Sequence, residues 1–298
     1  MSFSLSAAGI RAVLLDIEGT TTPVDFVYGT LFPFARERVR ACLEVGLSTD
    51  PEIAAAVDDL HTEHHGDAAA GQEVPDWLDG PAGARLQSAV AYIHWLMERD
   101  RKSRPLKVLQ GKIWEEGYRA GLLRGEVYPD VPVALRRWIA GGASIGIYSS
   151  GSVLAQKLLF RHSTAGDLTP LVRWHFDTSA GSKMEAASYR HIAEVIGATP
   201  LSILFISDVA RELGAAQAAD LQTLLCVRPG HPNAAKPPSG YERSGAGRRG
   251  HAPPQKLGAS RATSRDAREA RFVSGVQGSP RVNDARYPVI HTFDEVLA

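Results

Sequence analysis

Four short apolar runs, each ended by polar residues, restrict what this chain can fold into. They are Ala12-Val13-Leu14-Leu15 before Asp16, Ile145-Gly146-Ile147-Tyr148 before Ser149, Ile203-Leu204-Phe205-Ile206 before Ser207-Asp208, and Leu224-Leu225-Cys226-Val227 before Arg228. Apolar runs of this length without alternation suit buried strands of a parallel sheet. Between them lie stretches with helical spacing, such as Tyr189, Ile192, Ala193 and Ile196, or the alanine-rich segment from Arg211 to Ala219. Strands alternating with helices predict an α/β fold built on a doubly wound parallel sheet. Ligands of such sheets sit just beyond the carboxyl ends of the strands, where Asp16, Ser149 and Asp208 all fall.

Between the first two runs the pattern changes. From about Asp25 to Glu126 no strand is expected, and Leu86, Val90, Ile93 and Met97 mark one apolar helix face. Residues 25–126 are therefore read as a helical cap inserted after the first strand, with 1–24 and 127–298 forming the core. Gly66 to Pro81 reads as a loop between cap helices. Within the core, 231–286 is dense in Gly, Pro, Ser, Ala and Arg and lacks a sustained period. It is expected to be a disordered insertion that loops away from the edge carrying Asp16. A strand-like Val289-Ile290 and a short helix from Phe293 to Leu297 are expected to close the chain.

Charge narrows the partners. Lys+Arg and Asp+Glu both total 33, which points to neither nucleic acid nor membrane. Between Lys236 and Arg286 there are eleven basic and four acidic residues. That segment lacks interleaved aromatics and any RNA-binding signature, so it does not read as a nucleic-acid arm. No stretch approaches the roughly 20 apolar residues of a membrane span, and Met1 to Arg11 lacks the pattern of a signal peptide. The two cysteines, Cys42 and Cys226, imply no disulfide framework. A cytoplasmic, monomeric protein is expected. His61 and His65 share a helix face, but His-Thr-Glu-His-His lacks a zinc-type pattern, and a solvated or capping role is expected for His61, His64 and His65.

Four places carry candidate chemistry, and each has a plainer reading beside it. Asp16-Ile17-Glu18-Gly19-Thr20 sets two carboxylates two residues apart past a buried strand. One can attack phosphorus while the other moves protons; the plain reading is a solvated acidic turn. Ser149-Ser150-Gly151-Ser152 can cradle an anion at a helix N-terminus or simply cap that helix. Lys183 can neutralise a phosphoryl group or be a surface lysine. Asp208, with Glu212 four residues on, suits a magnesium ligand and its orienting partner, or acids favoured at a helix start.

Order and spacing are more specific than any one of these. Asp-x-Glu-Gly-Thr, then Ser, Lys and Asp, resemble the four motifs of the haloacid dehalogenase superfamily, and the insertion resembles its first type of cap. The runs Asp16 to Tyr28, Leu31 to Arg36, Tyr148 to Val153, Gln156 to Phe160, His162-Ser163-Thr164 with Gly166-Asp167-Leu168, and His175 to Thr178 with Lys183 and Ser188-Tyr189-Arg190 resemble one family within it, acireductone synthase, the enolase–phosphatase of methionine salvage. The resemblance covers about Ala12 to Gly230. The chain departs from it at 231–286, where a short link between Gly230 and Pro288 would be expected.

The resemblance implies one Mg²⁺ held by Asp16, the Glu18 carbonyl and Asp208. It further implies an aspartyl-phosphate on Asp16, proton transfer by Glu18, phosphoryl binding by Ser149, Ser150 and Lys183, and an orienting role for Glu212. The implied substrate is 2,3-diketo-5-methylthiopentyl 1-phosphate, enolised and dephosphorylated to the acireductone 1,2-dihydroxy-3-keto-5-methylthiopentene. No residue is assigned as the enolisation base. Phe26, Tyr28 and Phe32 are neighbours for the methylthioalkyl end, or the packing face of a helix. The rival readings are a phosphatase of the same superfamily acting on another small sugar phosphate, and a non-catalytic phospho-receiver-like module. Glu18 and the size of the insertion speak against the receiver.

Overall fold

The computed structural model describes residues 2–78, 80–230 and 287–298. Among these, six strands form one parallel sheet: β2 (Ala12–Leu15), β3 (Ser144–Tyr148), β4 (Trp174–Phe176), β5 (Ile203–Ser207), β6 (Gln222–Cys226) and β7 (Val289–Ile290). Their spatial order is β4-β3-β2-β5-β6-β7, so β2 is central and the order reverses around it. Leu15 lies opposite Ile147 on one side and Ile206 on the other. That register brings Asp16, Ser149 and Ser207 to a single edge.

The apolar runs are continuous because both faces of the sheet are covered. Val13, Leu15, Ile145, Ile147, Leu204 and Ile206 point into one cluster, which includes Trp138 of α6 (Val131–Ala140). Ala12, Leu14, Tyr148 and Phe205 point into the other, against Tyr189 and Ile192 of α8 (Ala186–Ile196) and Leu213 and Ala216 of α9 (Ala210–Gln217). Each strand thus alternates between two cores rather than between core and water.

Between β2 and β3 the described residues are helical, as the missing strand pattern predicts. α1 (Val24–Phe26) runs through a widened π turn, Val27–Leu31, into α2 (Phe32–Thr49), followed by α3 (Pro51–Ala69), α4 (Ala82–Glu98) and α5 (Arg104–Arg119). The starts of α3 and α5 follow capping rules. Asp50 accepts from the amides of Glu52 (2.9 Å) and Ile53 (3.3 Å), Ser103 accepts from Leu106 (3.3 Å), and each helix has proline in its first turn. The first apolar cluster continues from the sheet into these helices through Leu31, Val39, Leu109 and Trp114. The expected loop is shorter at its start than Gly66, because α3 continues to Ala69. α7 (Val153–Arg161) follows β3.

The end of the chain differs from expectation. Instead of a helix over Phe293 to Leu297, a single 3-10 turn spans Phe293–Glu295, and Val296–Leu297 forms β8 beside β1 (Phe3–Ser4). Thr292 and Glu295 make a reciprocal capping box that starts the turn. Arg137 and the Trp138 indole then take the carbonyl of Val296 (2.9 and 2.8 Å) and draw the chain extended. The insertion expected at 231–286 lies outside the described residues. No described helix is long and apolar enough to cross a membrane.

The three histidines of α3 form an aromatic knot. His64 is buried, with Nε2 2.7 Å from the Pro75 carbonyl, so its expected solvated role is not what the fold gives it. Trp77 stacks on His61, whose Nε2 lies 2.8 Å from that of His65.

His175 on β4 carries a pH prediction. Burial, helped by Lys157, pushes its imidazole down to about 4. Above the unfolded value near 6.5 both states are neutral, and nothing is at stake. As pH falls from 6.5 towards 4, only the unfolded chain takes up the proton, so stability declines across that window. Allowing for solvent at a partly exposed ring, the loss is about 1–2 kcal/mol. Urea melts of His175→Gln at pH 7 and pH 4.5 are expected to show a smaller drop than the parent; an equal drop would remove His175 from the account.

Candidate active site

Asp16 is the first residue past β2, and its amide still donates to the Ile206 carbonyl (3.0 Å), so the sheet fixes its backbone. The side chain is 3% exposed. One carboxylate oxygen accepts from the Ile17 amide (2.8 Å) and from Lys183 Nζ (2.6 Å), and the other accepts from Ser207 Oγ (3.3 Å). Lys183 Nζ also lies 2.6 Å from Glu212 Oε2, to which Ser207 Oγ is 3.0 Å distant. Asp16, Lys183, Ser207 and Glu212 therefore form one closed, buried network drawn from four separate segments.

The turn after Asp16 needs Gly19. Its φ of +73° lies in the left-handed region, and its amide donates to the Thr22 carbonyl (2.8 Å). The turn is stitched inward, with Thr20, Thr21 and Thr22 fully buried and Thr21 Oγ1 donating to the Asp16 carbonyl (3.1 Å). Thr20 Oγ1 accepts from the Asp208 amide (3.1 Å), which ties the fourth motif to the first.

The serine motif divides its duties. Ser152 is the cap of α7, accepting from the Ala155 amide (3.3 Å). Ser149 is not a cap: it is 1% exposed, and its hydroxyl lies 3.4 Å from Glu18 Oε2 while accepting from the Gly151 amide (3.1 Å). Ser150 is half-buried in the same turn. Lys183 is no surface residue. Tyr189 OH donates to its carbonyl (2.8 Å), and Tyr148 OH donates to that of Gly181 (3.0 Å). At Gly181, φ is +115° and any Cβ would collide with the Ser188 hydroxyl, so glycine alone fits there.

The electrostatics are lopsided. Burial pushes the Asp16 carboxyl well above the usual carboxylate range; Lys183 opposes this, while Glu212, Glu18 and Asp208 reinforce it. Burial likewise raises Glu212 against the pull of Lys183. Burial alone would lower the Lys183 ammonium, but Asp16 and Glu212 outweigh it and hold it above its ordinary value. Among the described residues, Glu212, Glu18 and Asp208 all add negative field at Asp16 while Lys183 is the cation in contact with it, an acid-rich setting that suits a further cation.

The aromatic neighbours also separate. Phe26 is 3% exposed and belongs to the core, whereas Tyr28, on the π turn, is 54% exposed. Partial burial, followed by Asp100, Glu18 and Asp208, pushes the Tyr28 phenol up to about 12. Its ring meets Phe32 edge to face at 5.3 Å.

Ser207, Gln156 and Asp177 lie in runs noted in the sequence but were given no role there. Gln156 is 1% exposed, and its amide nitrogen donates to the carbonyls of Gly151 (2.9 Å) and Phe176 (2.8 Å). Asp177 accepts from the amides of Val153 (3.2 Å) and Ser179 (2.8 Å), bridging the serine turn to the segment that leads to Lys183. A polar residue on the inner face of α7 and an acid directly after Phe176 were the available signals.

The model of the haloacid dehalogenase-like hydrolases matches residues 10–220, a span that contains all of these groups. The chain is 52% identical over 222 residues to Enolase-phosphatase E1 of Synechococcus elongatus, covering 74% of this chain and 90% of that protein. It belongs to the enolase–phosphatases of the haloacid dehalogenase-like hydrolases. Enolase-phosphatase E1 of Azotobacter vinelandii is 44% identical over 221 residues, at 74% and 90% coverage. The UTR4 protein of Saccharomyces cerevisiae, whose crystal structure is solved, superposes with a TM-score of 0.60 at 32% identity, covering 76% of this chain and 95% of that one. As a member of this family the chain is a phosphatase, and the phospho-receiver alternative falls.

Proposed function

We propose that this enolase–phosphatase acts in methionine salvage, converting 2,3-diketo-5-methylthiopentyl 1-phosphate to the acireductone and inorganic phosphate. The observation that carries the phosphatase half is the buried contact of Lys183 with both Asp16 and Glu212, set among Glu18 and Asp208 beyond the strand ends. The substrate assignment rests on the similarity to relatives named Enolase-phosphatase E1.

The donor set fits a magnesium ion. Asp16, the Glu18 carbonyl and Asp208 would hold it, and the surplus of acids at Asp16 supports a cation there. Among the described residues no three His, Cys, Asp or Glu side chains form a ready cage. Magnesium does not ask for one, since it takes one or two carboxylates and completes its shell with water and substrate oxygens. When bound it would offset the repulsion between a phosphate dianion and the attacking carboxylate and polarise a substrate carbonyl.

The chain's own residues supply the rest. Asp16 attacks phosphorus and becomes the aspartyl-phosphate. Glu18, held near Ser149, gives a proton to the leaving oxygen and then takes one from the hydrolytic water. Ser149, Ser150 and Lys183 bind the phosphoryl oxygens, and Glu212 keeps Lys183 aimed at Asp16. The helices between β2 and β3 act as the cap over 25–126; Lys107 of α5 already donates to Thr178 Oγ1 (3.1 Å), close to the Lys183 segment. Tyr28 offers the methylthioalkyl end an aromatic surface.

Incubation with the diketo phosphate is expected to release phosphate and to give the ultraviolet absorbance of the enol product together. Phosphate without that absorbance would reject the enolase half and favour another small sugar phosphate as substrate.

A further inference from the structure

We propose that Arg228, just past β6, is a positioning residue for the turn that follows Asp16. Arg228 is 1% exposed and stands between the rings of Tyr128 and Phe293, 4.3 and 4.4 Å from their centroids. Its Nε donates to the Thr20 carbonyl (2.9 Å), and its Nη1 donates to Asp130 Oδ2 (2.6 Å), which also accepts from the Phe293 amide (2.6 Å). The Tyr128 amide donates to the Thr21 carbonyl (3.0 Å), so the aromatic neighbour grips the same turn. Thr20 is the link outward: its hydroxyl receives the Asp208 amide, and it stands two residues beyond Glu18.

Stability alone is a poor reason for this arrangement. A buried guanidinium gives up its hydration, and among the described residues Nη2 finds no hydrogen-bond partner. Replacing a whole buried pair such as Arg228 and Asp130 by apolar side chains of similar volume is often neutral or stabilising. What an apolar side chain lacks is an N–H aimed at the Thr20 carbonyl from a base fixed by Asp130. Lysine lacks the fork that meets two acceptors at once. Arg228 therefore sets where the Thr20 turn sits, and through it the spacing between Glu18 and Asp208, without touching substrate.

The inference rests on the reading of Asp16, Glu18 and Asp208 as the reacting centre. It is tested with Arg228→Met, Arg228→Lys, Thr20→Val and the Arg228→Met/Thr20→Val double variant, assayed on the diketo phosphate and on p-nitrophenyl phosphate. Arg228→Met leaves Asp130 buried without its cation and is expected to melt on the order of 10 °C below the parent; assayed well below that melting point, kcat is expected to fall about ten- to a hundredfold while KM stays within about twofold, the size of loss a small misplacement causes. Arg228→Lys is expected to fall similarly. The double variant is expected to be no worse than its weaker parent within about threefold, because both changes release one turn. A kcat loss that multiplies in the double variant, or full kcat in either Arg228 variant, overturns the proposal. Should the Met variant not fold, the Lys variant decides by the same kcat and KM. Turnover of p-nitrophenyl phosphate alone would sink the substrate assignment while leaving the Arg228 comparison readable.

Discussion

Replacing Asp16 with asparagine is expected to lower kcat by at least roughly 10⁴-fold while leaving the melting temperature unchanged or raised. The loss follows from removing the proposed nucleophile, whose deletion in covalent catalysis costs that order or more. The stability result follows from the environment. Burial and three neighbouring acids press the Asp16 carboxyl towards its neutral form, and Lys183 opposes them. A neutral amide of nearly the same shape relieves that repulsion, and Lys183 retains Glu212 as its partner. Activity and stability should therefore move in opposite directions. A variant that keeps turnover would displace Asp16 from the nucleophile's role; one that unfolds would show that its charge holds the sheet edge together.

Lys183→Met is expected to damage both. The ammonium is in direct contact with both Asp16 and Glu212, and both carboxylates are buried. Breaking a buried ion pair by removing one partner costs about 3–5 kcal/mol, or on the order of 10 °C in a domain of this size. Turnover should fall as well, because the developing phosphoryl charge loses a preorganised cation. Raising the magnesium concentration is expected to recover part of the stability and little of the rate. Differential scanning calorimetry with and without magnesium, beside kcat, separates the two. A melting point unchanged in metal-free buffer would mean that the carboxylates are held apart by something other than Lys183.

Much of this was readable from sequence because strand ends advertise themselves. A buried parallel strand must be apolar on both faces, so the first polar residue after it marks the ligand edge. Applied to the four runs it marks Asp16, Ser149, Ser207 with Asp208 beside it, and Arg228. Lys183 was harder, since Trp174–Phe176 is too short and too exposed at Trp174 and His175 to read as a strand. Ser207 and Arg228 stand at marked strand ends and Gln156 and Asp177 in family-like runs, but no role could be assigned to any of the four from sequence. Their work is done through partners tens to hundreds of residues away, and no local period encodes a contact between Arg228 and Thr20. β1 and β8 are two residues each and exist only because they meet.

The central place of β2 has a consequence for how the chain is made. Its neighbours, β3 and β5, are synthesised more than a hundred residues later. Until they arrive Asp16 has neither Lys183 nor Ser207 beside it, and parallel pairings across such distances are slow to form. A nascent or prematurely ended chain would carry the proposed nucleophile without the groups proposed to serve it. On the proposed mechanism, phosphate-ester chemistry would thereby be withheld from unfinished molecules, with no inhibitor required.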